Sequence, residues 1–325
     1  MAAIVTKKER NISSEGKQAN KTPFGGSRLL NFTQDSYLER TSRPIYAVIF
    51  LLPFIIFYEY GTLHINTNIL NQSQIRVVAF VWLQEFLESV GFGGKFAWVA
   101  PPLAVVVILL SLQITSRKQW NFWVYDYFLM ILECVLLAVP LIVLALLISS
   151  AGNHYIHKNN HSRMSEDIEA QSCSMPVCAS VGNYNINSSN SDRRNIAVKQ
   201  PLLASIVTGI GAGIYEEFVF RLILICVLMI LFQDLLRMGH FNAIVLAILV
   251  SSGLFSAYHH IDFLSGRPNA MDPFDITEFA FRTLAGVYFA ILYAIQGFGI
   301  TAGTHAFYNI IAVTITYSKF FPKIN

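Results

Sequence analysis

Charge is what this chain has least of. Of its 325 residues only 13% are Asp, Glu, Lys or Arg, against the roughly 25% usual for soluble domains. With 54% hydrophobic residues, a soluble fold would have too little charged surface to stay in water. Cysteine is also scarce. Four cysteines are too few for a disulfide scaffold. Cys134 and Cys226 lie in apolar runs and read as small hydrophobes; only Cys173 and Cys178, together in a polar stretch, are placed to pair in an oxidising compartment. No H-E-x-x-H occurs, so the local helical zinc motif is missing. An apolar signal-peptide core is not seen in residues 1–44. The glycine-rich Gly91–Lys95 lacks the spacing of a phosphate-binding loop.

What is present is apolar sequence in runs near the ~20 residues needed to cross a bilayer. Mean hydropathy is +0.49. The expected fold is all-α: a polytopic transmembrane bundle of about seven to eight helices around an enclosed polar cavity. Residues 1–44 form a tail with eight Lys/Arg against four Asp/Glu, which the positive-inside rule places in the cytoplasm. Residues 45–149 supply N-terminal transmembrane helices at 45–63, 96–114 and 122–149, the second interrupted at Pro101–Pro102. Residues 77–90 are short and carry Glu85 and Glu88 on one face, so an interfacial or re-entrant helix is expected there. Residues 150–199 read as a flexible polar loop, with eight Asn and nine Ser between positions 150 and 200. Residues 200–325 form a further helical core, with one helix or two across 202–237 and others near 241–260, 275–296 and 299–317. Gly209 and Gly213, like Gly299 and Gly303, are four apart and invite close helix packing.

Six polar residues interrupt that apolar core: Glu216, Glu217 and Arg221 in GIYEEFVFRL, His259 at the end of LFSAYH, and His305 and Asn309 in THAFYN. Ionisable groups inside a membrane are costly, so they mark a functional site by default. Adjacent glutamates on a helix point about 100° apart and cannot serve one partner. Glu217 and Arg221, four apart, suit an ion pair, which leaves Glu216 facing the bundle interior, where a carboxylate can act as a base toward water. His305 and Asn309 share one helix face and can stabilise an oxyanion, or His305 can ligate metal. His260 and Asp262 follow His259 closely, and either of them can be the ordinary solvated group; Glu278 and Arg282 read as a structural ion pair. Glu133, alone in an apolar helix, suits hydrogen-bonded packing.

The motifs E-E-x-x-x-R, F-x-x-x-H and H-x-x-x-N follow in that order, separated by about forty to fifty residues. In this they resemble the CPBP family of type II CAAX prenyl endopeptidases and bacteriocin-processing or self-immunity (Abi) proteins, over roughly residues 200–320. The resemblance implies an intramembrane endopeptidase acting on a peptide or membrane-anchored protein in the lipid bilayer. By it, Glu216 activates water, His259 helps hold that water, His305 and Asn309 stabilise the oxyanion, and Glu217 and Arg221 organise the site. The family is usually labelled metallopeptidase. Glu216, His259 and His305 would then supply three zinc ligands, so the cofactor is either none or zinc. No nucleic-acid partner is expected, and a bacterial inner membrane is favoured over the endoplasmic reticulum. The competing reading is a transporter, or a non-catalytic immunity or binding protein, that uses the same buried groups. A transporter would more often show paired broken helices in matching halves.

Overall fold

The computed structural model describes residues 36–68, 77–92, 97–159, 202–262, 267–268 and 274–320. Ten α-helical segments run through them: α1 Tyr37–Thr41, α2 Pro44–Asn68, α3 Val78–Ser89, α4 Ala100–Ser116, α5 Val124–Asn159, α6 Leu202–Glu217, α7 Ile225–Met229, α8 His240–His260, α9 Ile276–Gln296 and α10 Phe298–Phe320. Two π-helical segments, Phe218–Leu224 and Ile230–Leu235, join α6 and α7 into one rod. The only strands among the described residues are Ile261–Asp262 and Arg267–Pro268, a two-residue antiparallel pair. The protein is an all-α bundle.

Six of these helices are long and apolar enough to cross a membrane: Pro44–Ile65, Val124–Ile148, Leu202–Leu235, His240–His260, Ile276–Gln296 and Phe298–Ser318. Their outward surfaces agree. On α5, Met130, Cys134, Ala138 and Leu141 point inward and are buried, whereas Leu132, Leu136, Val143 and Leu147 are 47–62% exposed. Water would not tolerate so continuous an apolar face; hydrocarbon does. The chain is an integral multi-pass membrane protein.

Two expectations about the N-terminal helices are refined. Pro101 and Pro102 begin α4 and do not interrupt it. Proline has no N–H to donate, and the first turn of a helix has no acceptor for one, so proline costs nothing there. α3 has only 12 residues, too few to cross. Its Glu85, Phe86 and Glu88 are exposed, while Phe80 packs edge-on against Tyr215 of α6. α5 continues to Asn159, ten residues into the stretch read as a polar loop; residues 160–201, with Cys173 and Cys178, lie outside the described residues.

Glu133 sits in a hydrogen-bonded setting, as its isolation suggested. Its carboxylate accepts from the Tyr37 hydroxyl at 2.6 Å and from Gln296 Nε2 at 2.8 Å. Nearby, Arg40 grips Asp126 with two bonds of 2.8 and 2.9 Å, and the Tyr46 hydroxyl donates to the same carboxylate. These links tie the short α1 to α2 and α5 at one end of the bundle.

α10 is the central helix. Its apolar window is 72% buried, against 22–39% for the other five. Small residues explain how it gets there, because without a water-driven hydrophobic force close van der Waals contact must hold helices together. An added Cβ on Gly213 would lie 2.7 Å from Ala306 Cα and 2.9 Å from its Cβ, and one on Gly209 would lie 2.9 Å from Asn309 Cβ. On the other side of α10, Gly299 meets Ala47 of α2 in the same way. α10 follows α9 through Gly297 alone, at φ +84°, a conformation that glycine adopts without penalty. α9 is capped by Asp275, which accepts from Thr277 N at 2.6 Å and Glu278 N at 3.1 Å. The Glu278 N–H above all holds the Asp275 carboxyl below its ordinary value.

Gly213→Ala should therefore force α6 and α10 apart and cost about 1–3 kcal/mol, the range for overpacking a tight contact. Thermal unfolding in detergent would measure it, with Gly253→Ala as the control, since nothing lies within 4 Å of an added Cβ there. Equal stability of the two variants would show that the α6–α10 contact is loose.

Candidate functional site

Two turns of α6 beyond Gly209, the chain places Glu216 and Glu217 inside the bundle, at 2% and 0% exposure. The helix then passes directly into the π segment that carries Arg221, fully buried. Single π turns within α-helices recur at functional sites because they re-aim the residues that follow. Arg221 Nε lies 3.0 Å from Glu217 Oε2, and its Nη2 reaches the carbonyl of Gly286 on α9 at 3.4 Å. Its guanidinium carbon sits 4.3 Å above the Phe255 ring of α8, a cation–π contact strengthened by the dry surroundings. One arginine thus touches α6, α8 and α9.

Glu217 has a second partner. His305 Nδ1 lies 2.8 Å from Glu217 Oε1, across 88 positions of sequence. The opposite ring nitrogen, Nε2, is 3.9 Å from Glu216 Oε2. The imidazole stacks on Phe289 of α9, with ring centres 4.5 Å apart and planes within 19°. Its orientation is fixed from two directions. Glu216 Oε1 accepts no hydrogen bond among the described residues. A buried carboxylate oxygen without a protein donor needs a water or a ligand.

Asn309, one turn further along α10, donates from Nδ2 to the carbonyl of Gly209 at 2.9 Å. That bond uses one of the two amide hydrogens, and Asn309 also lines the cavity. His259 closes α8 at 7% exposure, with its ring packed edge-on against Phe255 and Tyr258.

Glu216, His259, His305 and Asn309 line one cavity, together with Phe255, Phe281, Arg282, Ala285, Phe289 and Tyr308. Its volume is about 40 Å³. That is room for a few waters, beside a carboxylate that has an unengaged oxygen. Glu217 and Arg221 stand behind this wall.

Two local readings change. His260 is not solvated: it is 2% exposed, and its Nε2 lies 3.2 Å from Arg282 Nη1. Its ring packs against Phe274 and against Phe279 of α9. Arg282 does pair with Glu278 at 3.4 Å, yet it also faces the cavity. Its burial inside an apolar helix was the available signal. Tyr308 carried no such signal, being one aromatic among many. For zinc, the donors Glu216, His259 and His305 do not form a three-ligand cluster; no group of three or more His, Cys, Asp or Glu among the described residues is arranged to hold an ion. His305 Nδ1 is committed to Glu217, and Nε2 stands off Glu216 by 3.9 Å.

The fold and these contacts define a class: a multi-pass membrane protein with a carboxylate–imidazole–amide cluster around a small cavity between helices. Residues 198–311 match the family described as type II CAAX prenyl endopeptidase Rce1-like. The matched segment contains all three motifs, which bears out the resemblance read from them. No curated protein and no solved structure matches the chain.

Proposed function

We propose that the protein is an intramembrane endopeptidase of the CAAX-processing type, in which Glu216 activates a water held in the cavity. The observation that carries this is the buried Glu216 carboxylate, with one oxygen that lacks a donor among the described residues, beside His305 Nε2 at 3.9 Å. In this reading Glu216 takes a proton from water while the oxygen attacks the peptide carbonyl. The C–O bond forms, and the tetrahedral oxyanion is stabilised by His305 and Asn309. Glu216 then returns the proton to the departing nitrogen as the C–N bond breaks. His259 helps to position the water.

Donor counting supports the division of roles. An ionised Glu217 only accepts, so His305 Nδ1 must carry the hydrogen between them. For Nε2 to donate to an oxyanion as well, the ring must be an imidazolium. Asn309 offers its second amide hydrogen, with the first anchored on Gly209. Asn309→Ala is expected to lower kcat by about 10²–10³, the usual effect of losing one oxyanion donor, with a smaller effect on KM. A change confined to KM would assign Asn309 to substrate binding.

Peptide profiling of the purified protein in detergent, wild type against Glu216→Ala, tests the reading. Products made by the wild type and missing with the variant support it. An ion flux in proteoliposomes that Glu216→Gln abolishes, with no cleavage of any peptide, would replace it with transport.

A further inference from the structure

Among the described residues, six polar side chains line the cavity: Glu216, His259, Arg282, His305, Tyr308 and Asn309. Four of them serve the hydrolytic step, and Arg282 is held by His260 and Glu278. Tyr308 remains. It is 5% exposed, and its hydroxyl is buried without a hydrogen-bond partner among the described residues. Its ring belongs to an apolar cluster with Leu141 of α5 and with Phe281, Ala285 and Phe289 of α9. Phenylalanine would fill that place equally well and leave nothing unpaired. A buried hydroxyl without a partner is costly, so packing alone does not account for a tyrosine here.

Its position on α10 sets what that partner is. The step from Tyr308 to Asn309 turns about 100°, so while Asn309 is tied to Gly209 of α6, Tyr308 faces α5 and α9. Three residues bring it next to His305 on the helix surface, advanced by about 4.5 Å along the axis. An extended peptide advances ~3.3–3.6 Å per residue. A substrate that seats its scissile carbonyl at His305 and Asn309, with its chain running along α10, therefore presents the neighbouring peptide group to Tyr308. That group needs a partner, because a backbone amide taken out of water stays costly until it is hydrogen-bonded. The phenol can donate to its carbonyl or accept from its N–H. At about 40 Å³ the cavity must widen to seat a peptide, and that widening is what brings the buried hydroxyl to a ligand.

We propose that Tyr308 is a substrate-binding residue whose hydroxyl pairs with the peptide group next to the scissile bond and so holds that bond in register with Glu216. This rests on the endopeptidase reading above. Glu216, His305 and Asn309 act on whichever carbonyl is seated between them; Tyr308 fixes the backbone beside it.

Tyr308→Phe removes only the hydroxyl. Without peptide, its unfolding temperature in detergent should equal or exceed that of wild type, and its kcat/KM should fall about three- to thirtyfold, the loss of one hydrogen bond. The deciding measurement uses peptides of one sequence in which a single amide, just before or just after the scissile bond, is replaced by an ester. An ester has no N–H and a weaker carbonyl acceptor. Cleavage at the scissile amide is followed by mass spectrometry. One of the two esters should slow wild type by a similar factor, and that same ester should make no further difference to Tyr308→Phe. Wild-type cleavage by the variant overturns the proposal. So does an ester effect that is absent in wild type or undiminished in the variant, or a clear fall in the variant's unfolding temperature, which would place the hydroxyl's partner within the protein. If wild type cuts no peptide, the endopeptidase reading fails separately. Binding of the fluorescently labelled amide and ester peptides to Glu216→Gln protein then decides the role of Tyr308. A preference for the amide that vanishes in Glu216→Gln/Tyr308→Phe sustains it, and equal affinities refute it.

Discussion

Glu216→Gln should reduce peptide cleavage by about 10²–10⁴, the range lost with a general base, while leaving the unfolding temperature in detergent close to that of wild type. The substitution keeps shape and removes only basicity. Glu216 touches His305 Nε2 at 3.9 Å and makes no hydrogen bond through Oε1 among the described residues, so little structure hangs on its charge. In the same assays chelators should leave wild-type activity intact if the carboxylate alone activates water. Stoichiometric zinc in active protein, removed by chelation and restored together with activity, would transfer that role to a metal.

Arg221→Ala is expected to do the reverse and destabilise by about 3–5 kcal/mol, the cost of stranding a buried charge. Both side chains of the Glu217–Arg221 pair are fully buried. The arginine also holds Gly286 of α9 and lies on Phe255 of α8. Its loss therefore leaves an uncompensated carboxylate and removes a junction of three helices. The double variant Glu217→Gln/Arg221→Met should regain part of that stability, because neither charge is then left alone, but not the activity, since His305 loses the carboxylate that orients it. Thermal unfolding of the single and double variants measures the coupling. If Glu216→Gln and Arg221→Ala lower stability equally, and activity only in proportion, the two glutamates have been given the wrong roles.

Much of this molecule can be read from composition and short spacing alone. Sparse charge and long apolar runs determine a membrane bundle, because the cost of burying polar groups in hydrocarbon acts on every residue regardless of its neighbours. The helix limits near 241–260, 275–296 and 299–317 follow from the same local signals, and the described helices begin and end within a few residues of them. Glu216, Glu217, Arg221, His259, His305 and Asn309 stand out for the same reason: each is expensive where it sits. The i, i+4 relation of Glu217 to Arg221 is also a property of one helix.

Only the tertiary structure decides which of these groups meet. That Glu217 divides its two oxygens between Arg221 and a histidine 88 positions away depends on how α6 and α10 are aligned. Gly213 against Ala306 and Gly209 against Asn309 set that alignment. Arg282 looked like half of a local pair with Glu278, since spacing along one helix says nothing about the wall opposite. His260 is buried beside it, its ring against Phe274 and Phe279. Proline spacing could not tell an interruption from a first turn at Pro101, where only the absence of a preceding helical turn makes the difference. Burial cost is local and additive enough to be visible residue by residue. Alignment between helices is a collective choice made by close contacts far apart in sequence.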